Sequence, residues 1–302
     1  MLNSTLRDYI HSHLLPNVQT PAQYMGGELN VVTKDHRTVR GKLCLAFPDT
    51  YTIGMSHHGL QILYTLMNGR EDWVCERAFT PWPDMEEQLR GRGVPLYSLE
   101  TFTPLGEFDV LGFSLQYEVC STNILTMLDL AGIPLHANER TLEHPLVLGG
   151  GPCAQNPEPV ADFFDVFITG DGEPSLPLLC DRWLELKAQA GRPLSGRAGQ
   201  LQREEALAAL ARELPYAYVP RFYEPEYREG RMVALNRTRN DVPETIEPAV
   251  IRDLEEIPIP VKPIVPFVET VHDRIAIEIM RGCPWQCRFC QSTVIKRPLR
   301  IR

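Results

Sequence analysis

Three cysteines near the end of the chain form the densest group of metal-binding side chains in the sequence. They are Cys283, Cys287 and Cys290, with the spacing C-x3-C-x2-C. Three thiolates on one short loop can each bind one iron of a cubane cluster. Such a cluster has one iron more than this loop has thiolates, and the amine and carboxylate of a small molecule could chelate that iron. The spacing therefore predicts a [4Fe-4S] cluster with an open corner.

Other uses of the three cysteines need different partners. A structural zinc site wants four ligands, and the fourth would have to come from His272 or a distant cysteine. A ferredoxin-type electron carrier wants a fourth cysteine, and none follows Cys290. The density of the cysteines argues against three unrelated buried thiols. An iron–sulfur cluster is thus favoured, with zinc as the main alternative.

The elements that would position this loop alternate between strands and helices. Apolar runs predict strands at 42–47, 73–79, 94–99, 109–115, 145–150, 165–170 and 274–280. Helices are predicted near 6–15, at 57–68 with Ser56 as its cap, from Asp84 to Gly91 with a capping box, at 121–130, at 173–190 and within 191–214. Such alternation predicts a parallel sheet wrapped by helices.

Several of these strands end in small or acidic residues. In open α/β sheets the ligand crevice lies at the carboxyl ends of the strands. The candidate ligand-binding residues at that edge are Ser114, Gly149, Gly150, Gly151, Gly170, Asp171, Gly172 and Glu173. The alternative is that the glycines only make tight turns between strands and helices. The sequence leaves both interpretations open.

The cysteine loop resembles the signature of the radical S-adenosylmethionine (SAM) superfamily. The resemblance covers residues 274–297: a strand, Arg-Gly, C-x3-C-x2-C and an aromatic residue before the last cysteine. It implies that the three cysteines hold the cluster and that SAM binds the open iron. One electron would then cleave SAM to methionine and a 5'-deoxyadenosyl radical. The resemblance places Phe289 beside the adenine and Glu278 near the barrel interior, with a salt bridge as the alternative role for Glu278.

A wider resemblance covers about residues 20–302. The segments FPDTYTIGMSHHGLQILY, LGFSLQYE, LGGGPCAQNPEPVADFFD and ITGDGEPS look like a radical SAM family whose N-terminal domain is cobalamin-binding-like. The fold class this implies is α/β: a Rossmann-like parallel-sheet domain followed by the first strand and cluster loop of an incomplete radical SAM (β/α) barrel. Cobalamin becomes a candidate cofactor. The string Asp-x-His-x-x-Gly, which ligates cobalt, is absent, so the domain either holds a corrin without that ligand or keeps only the fold.

These resemblances give a domain layout with five parts. The expected parts are an N-terminal helix at 1–20, a cobalamin-binding-like α/β domain at 21–190, a helix plus hairpin insertion at 191–240, a proline-rich linker at 241–270 and the start of a radical SAM barrel at 271–302. The hairpin is expected to turn at Glu229-Gly230. Only 12 residues follow Cys290, whereas a barrel would need on the order of 150–200 more. We therefore expect the chain to be a fragment or one half of a split protein.

The expected function is the N-terminal part of a radical SAM enzyme. Its partners would be an electron donor like flavodoxin or ferredoxin, and a chain that supplies the rest of the barrel. The alternative is a non-catalytic Rossmann-like binding module with a metal-binding tail that needs a partner chain. The substrate cannot be read from the residues.

Bulk properties narrow the setting of the protein. The formal net charge is -9 and the pI is about 5.4, which argues against binding nucleic acid through bulk electrostatics. The N-terminus lacks a basic region followed by an apolar one, and no apolar run approaches about 18 residues. Eight cysteines, five of them scattered, do not suggest a disulfide-stapled secreted domain. A cytoplasmic protein without a membrane span is expected.

Overall fold

A computed structural model describes residues 4–272, 274–285 and 287–302. Its strands in chain order are β1 (Gly41–Phe47), β2 (Trp73–Phe79), β3 (Val110–Ser114), β4 (Leu146–Gly150), β5 (Val166–Ile168), β6 (Ala217–Tyr218), β7 (Tyr223–Arg228), β8 (Arg231–Arg237), β9 (Met280–Arg281) and β10 (Arg300–Ile301). The first six form one sheet, while β7–β8 and β9–β10 form separate antiparallel ribbons.

The helices connect these strands. They are α1 (Ser4–Tyr9), which continues as a π-helix over Ile10–Leu14, then α2 (Tyr51–Gly54), α3 (His58–Asn68), α4 (Pro83–Arg92), α5 (Ser121–Leu130), α6 (Gly172–Ala190), α7 (Gly196–Glu213) and α8 (Ser292–Ile295). Short 3-10 turns lie at Leu15–Asn17, Pro21–Gln23, Leu105–Glu107, Glu118–Cys120, Ala137–Glu139, Pro152–Gln155, Glu158–Phe163, Pro220–Phe222 and Leu254–Glu256. In the part of the chain that the structure describes, no helix has the length and apolar character needed to cross a bilayer.

The order of the sheet confirms the predicted Rossmann-like architecture. The strands lie in the order β2-β1-β3-β4-β5-β6, with the first five parallel and β6 antiparallel to β5. Strand β1 has β2 on one side and β3 on the other, so the chain reverses direction across the sheet between β1 and β3. In doubly wound sheets this switch point opens a crevice at the carboxyl ends of the strands.

The strands are buried because helices and connecting segments cover the sheet. All seven residues of β2 are buried, although β2 lies at the edge of the sheet. Two buried ion pairs that share Asp165 lie at the amino ends of β4 and β5, away from the crevice. Asp165 Oδ2 accepts from Arg140 Nη1 at 3.1 Å and from Arg203 Nη2 at 2.7 Å. Burial raises the pKa of Asp165, but Arg203 and Arg140 outweigh it and hold that pKa at about 2.

Two local predictions were wrong. No strand forms at 94–99, because its amides bond to different parts of the chain: Leu96 N donates to Leu130 O at the end of α5, and Ser98 N to Thr103 O. Ser56 does not cap α3, because its hydroxyl donates to Thr52 O at 2.9 Å. The N-cap is His57, whose Nδ1 accepts from Leu60 N at 3.1 Å.

The capping box predicted for α4 is also absent. The helix begins at Pro83 without a capping side chain. Asp84 lies inside the first turn, where its carboxylate accepts from Gln19 N at 2.8 Å. A contact from distant sequence therefore takes the side chain that local spacing assigned to the cap.

The strand predicted at 274–280, the first strand of the barrel, is also corrected. Only Met280 and Arg281 are in strand conformation, paired with β10. The side chains of Ile275, Ile277 and Ile279 are exposed. A longer strand needs a neighbouring strand of matching length for its backbone hydrogen bonds. Among the described residues, the strand that pairs with this segment is β10, which has two residues.

The proline-rich segment predicted as a linker lies against the α/β domain. Ala249 forms a parallel bridge with Gly170, and Val265 an antiparallel bridge with Leu29. Its extended backbone thus runs past the carboxyl end of β5. This course brings the cysteine loop to the same edge of the sheet as the crevice.

Candidate functional site

A cavity of about 460 Å³ opens at the carboxyl ends of β1, β3, β4 and β5. Its floor is apolar, with Leu45, Phe113, Leu148 and Ile168 contributed by these strands. The starts of α3 and α6 form two of its sides, and residues 280–282 of the cysteine-loop segment form another. A concave, mostly apolar site with a few polar groups is typical of small-molecule binding, and this one lies at the switch point of the sheet.

Most of the predicted edge residues line this cavity. The structure brings together Ser114, Gly150, Gly151, Gly170, Asp171, Gly172 and Glu173, and adds Glu278 from the cysteine-loop segment. Gly149 is not among the lining residues. A Cβ atom at Gly149 would meet the ring of Phe167 at 2.6 Å, so this glycine allows close packing between β4 and β5.

Two neighbouring histidines, His57 and His58, also line the cavity. Burial lowers the pKa of His57, and it lowers the pKa of His58 as well. Both imidazoles are therefore neutral at physiological pH. The Nδ1 atom of His57 accepts from Leu60 N, which leaves the proton on Nε2.

An ionic cluster lies at the mouth of the cavity. Arg281 Nη1 donates to Asp171 Oδ1 at 3.1 Å, and Arg281 Nη2 donates to Glu173 Oε1 at 2.6 Å. Glu278 Oε1 accepts from Arg281 Nε at 2.9 Å. Burial lowers the pKa of Arg281, but Glu173 and Glu278 outweigh it and raise that pKa. The guanidinium therefore stays charged, and the structure gives Glu278 the salt bridge that was the alternative to a role inside a barrel.

The cysteine loop leaves the cavity directly after Arg281. Gly282 lines the cavity, whereas Cys283 and Cys287 are exposed and Cys290 is half-buried. Cys290 N donates to Cys287 O at 3.1 Å, so a tight turn joins these two residues. The ring of Phe289 is 92% exposed and lies outside the cavity.

The thiols fit an iron–sulfur cluster as a set of donors. All three are solvent-accessible on one loop, and none is in a disulfide. Among the described residues, no three His, Cys, Asp or Glu side chains already converge on one metal position. Binding a cluster would therefore draw the three side chains together on a loop whose described apolar side chains, Trp285 and Phe289, are exposed.

Cobalamin fits less well. The residues 57–59 (His-His-Gly) lie at the start of α3, but Asp-x-His-x-x-Gly is absent from the sequence, and Nδ1 of His57 is occupied as the helix cap. In the described part of the chain we identify no histidine set to ligate cobalt.

Sequence reasoning missed several residues of the site. Gln116 and Lys296 line the cavity, and Arg281 and Arg300 bind the carboxylates at its mouth. The Arg-Gly pair before Cys283 was visible as part of the motif, but its partners are 108 and 110 residues away. The carboxylates that Arg281 binds, Asp171 and Glu173, were predicted as site residues only because they follow the end of a strand.

The chain is similar to part of a longer protein. The uncharacterized protein MJ0966 of Methanocaldococcus jannaschii is 25% identical over 218 residues, which are 71% of this chain and 37% of that protein. The chain thus spans little more than a third of this relative's length.

Two solved structures of the radical S-adenosylmethionine methyltransferase TsrM from Kitasatospora setae are also similar. The one with cobalamin and a [4Fe-4S] cluster bound has a TM-score of 0.44 and 14% identity, covering 85% of this chain and 42% of that one. The one with tryptophan substrate and a SAM analog has a TM-score of 0.32 and 16% identity, covering 52% and 29%. These scores are too low to establish a shared fold.

The family match is broader. The family described as "Radical SAM proteins, N-terminal" matches residues 59–220. This range holds β2 to β6 and the helices from α3 to α7, and it includes the strand ends that line much of the cavity. It is more than half of the chain, and the chain therefore belongs to the radical SAM proteins through their N-terminal family.

Proposed function

We propose that Cys283, Cys287 and Cys290 hold a [4Fe-4S] cluster with an open corner and that the chain is part of a radical SAM enzyme. The observation that supports this most directly is the setting of the loop. Three accessible thiols follow a backbone that is tied by ion pairs to the mouth of a ligand-sized cavity. A cluster on this loop would lie beside whatever the cavity binds.

The cavity's own residues would bind and orient a small molecule. The apolar floor excludes water, while Ser114, Gln116 and the neutral imidazole of His57 supply hydrogen-bonding groups above it. Lys296 adds a positive charge at the side nearest the loop. When bound, the cluster and SAM would supply a 5'-deoxyadenosyl radical, and the electron would come from a donor such as flavodoxin or ferredoxin.

Two further assignments belong to this proposal. Phe289 would lie beside the adenine of SAM, which its exposure leaves room for. Glu278 would act by orienting Arg281, since it accepts from both Nε and Nη2 of that side chain. The substrate and the reaction type would be those of a complete radical SAM protein. The matched relative is much longer than this chain.

The first test is iron uptake by cysteine variants. After anaerobic reconstitution with iron and sulfide, the chain is expected to hold about four irons. Cys283→Ala, Cys287→Ala and Cys290→Ala should each lose most of this iron. Cys153→Ala is the matched control, because Cys153 is half-buried outside the loop, and it should retain the iron. Zinc bound in place of iron, or iron retained by the loop variants, would overturn the proposal.

A further inference from the structure

Two arginines lie opposite each other in the ribbon β9–β10, whose two strands precede and follow the cysteine loop. In β9–β10, Arg281 pairs with Arg300 and Met280 pairs with Ile301. Like charges directly opposite each other destabilise an antiparallel pair, and a ribbon of two residue pairs has little stability of its own. All three cysteines lie between the two arginines. Whatever holds the arginines together therefore also fixes the ends of the cysteine loop.

A single carboxylate from the α/β domain binds both arginines. Asp171 Oδ1 accepts from Arg281 Nη1 at 3.1 Å, and Asp171 Oδ2 accepts from Arg300 Nη1. The carboxylate also accepts from Ile251 N at 3.0 Å, which fixes its orientation. The side chain of Asp171 is 7% exposed and that of Arg281 12%, so water screens this contact little and the charge-assisted hydrogen bonds are strong.

Glu173 strengthens the contact on the Arg281 side. Its two oxygens accept from Nη1 at 3.0 Å and from Nη2 at 2.6 Å. This is the paired geometry that suits a guanidinium. Counting Glu278, three carboxylates surround two guanidiniums, so the repulsion between the arginines is fully compensated.

Apolar packing does not hold the loop in place. Within the described residues of 271–302, only Thr293 and Arg300 are buried. The large apolar side chains of the segment, among them Ile277, Trp285 and Phe289, are exposed. Hydrophobic burial contributes roughly 25 cal/mol per Å² of apolar surface removed from water, and these side chains remove little. The ion pairs therefore determine where the loop lies.

We infer that Asp171 is a positioning residue for the cysteine loop. By binding Arg281 with one oxygen and Arg300 with the other, it holds both ends of the loop at the mouth of the cavity. Its importance for a cluster rests on the function proposed above for the three cysteines. The positioning itself is a property of the chain without iron, and it can be measured there.

The test is amide hydrogen exchange of the full chain without iron, comparing wild type with Asp171→Asn. Asparagine keeps the shape and removes the charge. The amide of Arg302, which donates to Ile279 O at 3.0 Å, should exchange about tenfold faster or more, because a buried ion pair has been broken. Amides of β1 and β3 should keep their protection. Asp181→Asn is the matched control: Asp181 lies on α6, the helix that directly follows Asp171, and binds Arg70 and Trp73. Its loss should leave the exchange of residues 280–302 unchanged.

A second pair of variants separates positioning from local damage to α6. Adding Arg300→Leu to Asp171→Asn removes the repulsion across the ribbon and should restore part of the protection at Arg302. Glu173→Gln leaves Asp171 in place and should give a smaller acceleration at the same amides, even if Asp171→Asn disturbs the sheet. Unchanged exchange in the Asp171→Asn variant, or no recovery in the double variant, would overturn the inference.

Iron uptake distinguishes this inference from the proposed function. If the chain takes up no iron but Asp171→Asn still accelerates exchange at Arg302, the positioning role stands and the cluster proposal fails. A chain that binds iron but shows wild-type exchange in the Asp171→Asn variant would overturn the positioning role alone.

Discussion

Gly170 is the residue at which the sheet, the cavity and the proline-rich segment meet. Its φ is +94°, and it forms a parallel bridge with Ala249. Hydrogen bonds on both sides hold the bridge: Ala249 N donates to Thr169 O at 2.9 Å, and Asp171 N donates to Ala249 O at 2.7 Å. A Cβ atom at Gly170 would lie 2.1 Å from Ala249 O. Only glycine therefore fits here without moving one backbone away from the other.

Gly170→Ala should accordingly lower the free energy of unfolding by about 2–4 kcal/mol, from the clash together with the positive φ. Gly93→Ala is the matched control, because Gly93 has a φ of +63° in the left-handed helical region and open space where the Cβ atom would lie. It should cost about 1 kcal/mol. Urea denaturation at equilibrium measures both values, and equal losses would show that the approach of Ala249 has no energetic weight.

At the scale of elements, strand β2, at the edge of the sheet, carries a buried ionic network. Arg77 Nε donates to Glu100 Oε1 at 2.6 Å, and Arg77 Nη2 donates to Glu28 Oε2 at 3.2 Å. Glu76, the neighbour of Arg77 on the strand, binds His36 at 2.6 Å. Glu28 and Glu100 thus share one permanent cation, and Glu76 adds a third carboxylate beside them. Burial, together with the charge of Glu76, raises the pKa of Glu100 to about 7 despite Arg77.

This network predicts a specific pH dependence of stability. The pKa of Glu100 is higher in the folded chain than in the unfolded one, where it is about 4.3. Its contribution to stability is therefore fully present below about pH 4.3 and is lost as the pH rises through about 7. Between pH 5 and 8 the wild type should therefore lose on the order of 2 kcal/mol of its free energy of unfolding through this group. Glu100→Gln, which resembles the protonated form, should not show this loss.

The measurement is the free energy of unfolding of wild type and variant at several pH values. The difference between them matters, because His57, His58 and His144 have lowered pKa values and act in the opposite direction. Glu87→Gln, at an exposed position of α4, should follow the wild-type curve. A Glu100→Gln curve parallel to wild type would refute the assignment.

At the scale of the whole molecule, the sequence predicted the elements whose signal is local. Apolar runs placed β1, β2, β3, β4 and β5, and α5 was predicted at the residues where it forms. The edge of the sheet followed from this alternation, and seven of the eight predicted edge residues meet in one cavity for that reason. The cysteine motif was likewise readable from spacing alone.

Features that depend on distant contacts were not predictable. The segment at 94–99 has the composition of a strand, but its amides bond to separate acceptors in α5, in β2 and at Thr103. The segment at 274–280 has the apolar pattern of a strand, but pairing depends on a neighbour that local composition does not reveal. Asp171 meets Arg281 and Arg300 across 110 and 129 residues, a separation at which no periodicity carries information.

The central claim is that Cys283, Cys287 and Cys290 hold an open-corner [4Fe-4S] cluster. Electron paramagnetic resonance of the anaerobically reconstituted and reduced chain, before and after addition of SAM, tests it most directly. We predict the signal of a reduced [4Fe-4S] cluster, absent from the Cys287→Ala variant and changed in shape by SAM, because SAM binds the iron that lacks a thiolate. A chain that takes up zinc and gives no iron signal, or an iron signal that SAM leaves unchanged, would contradict the claim.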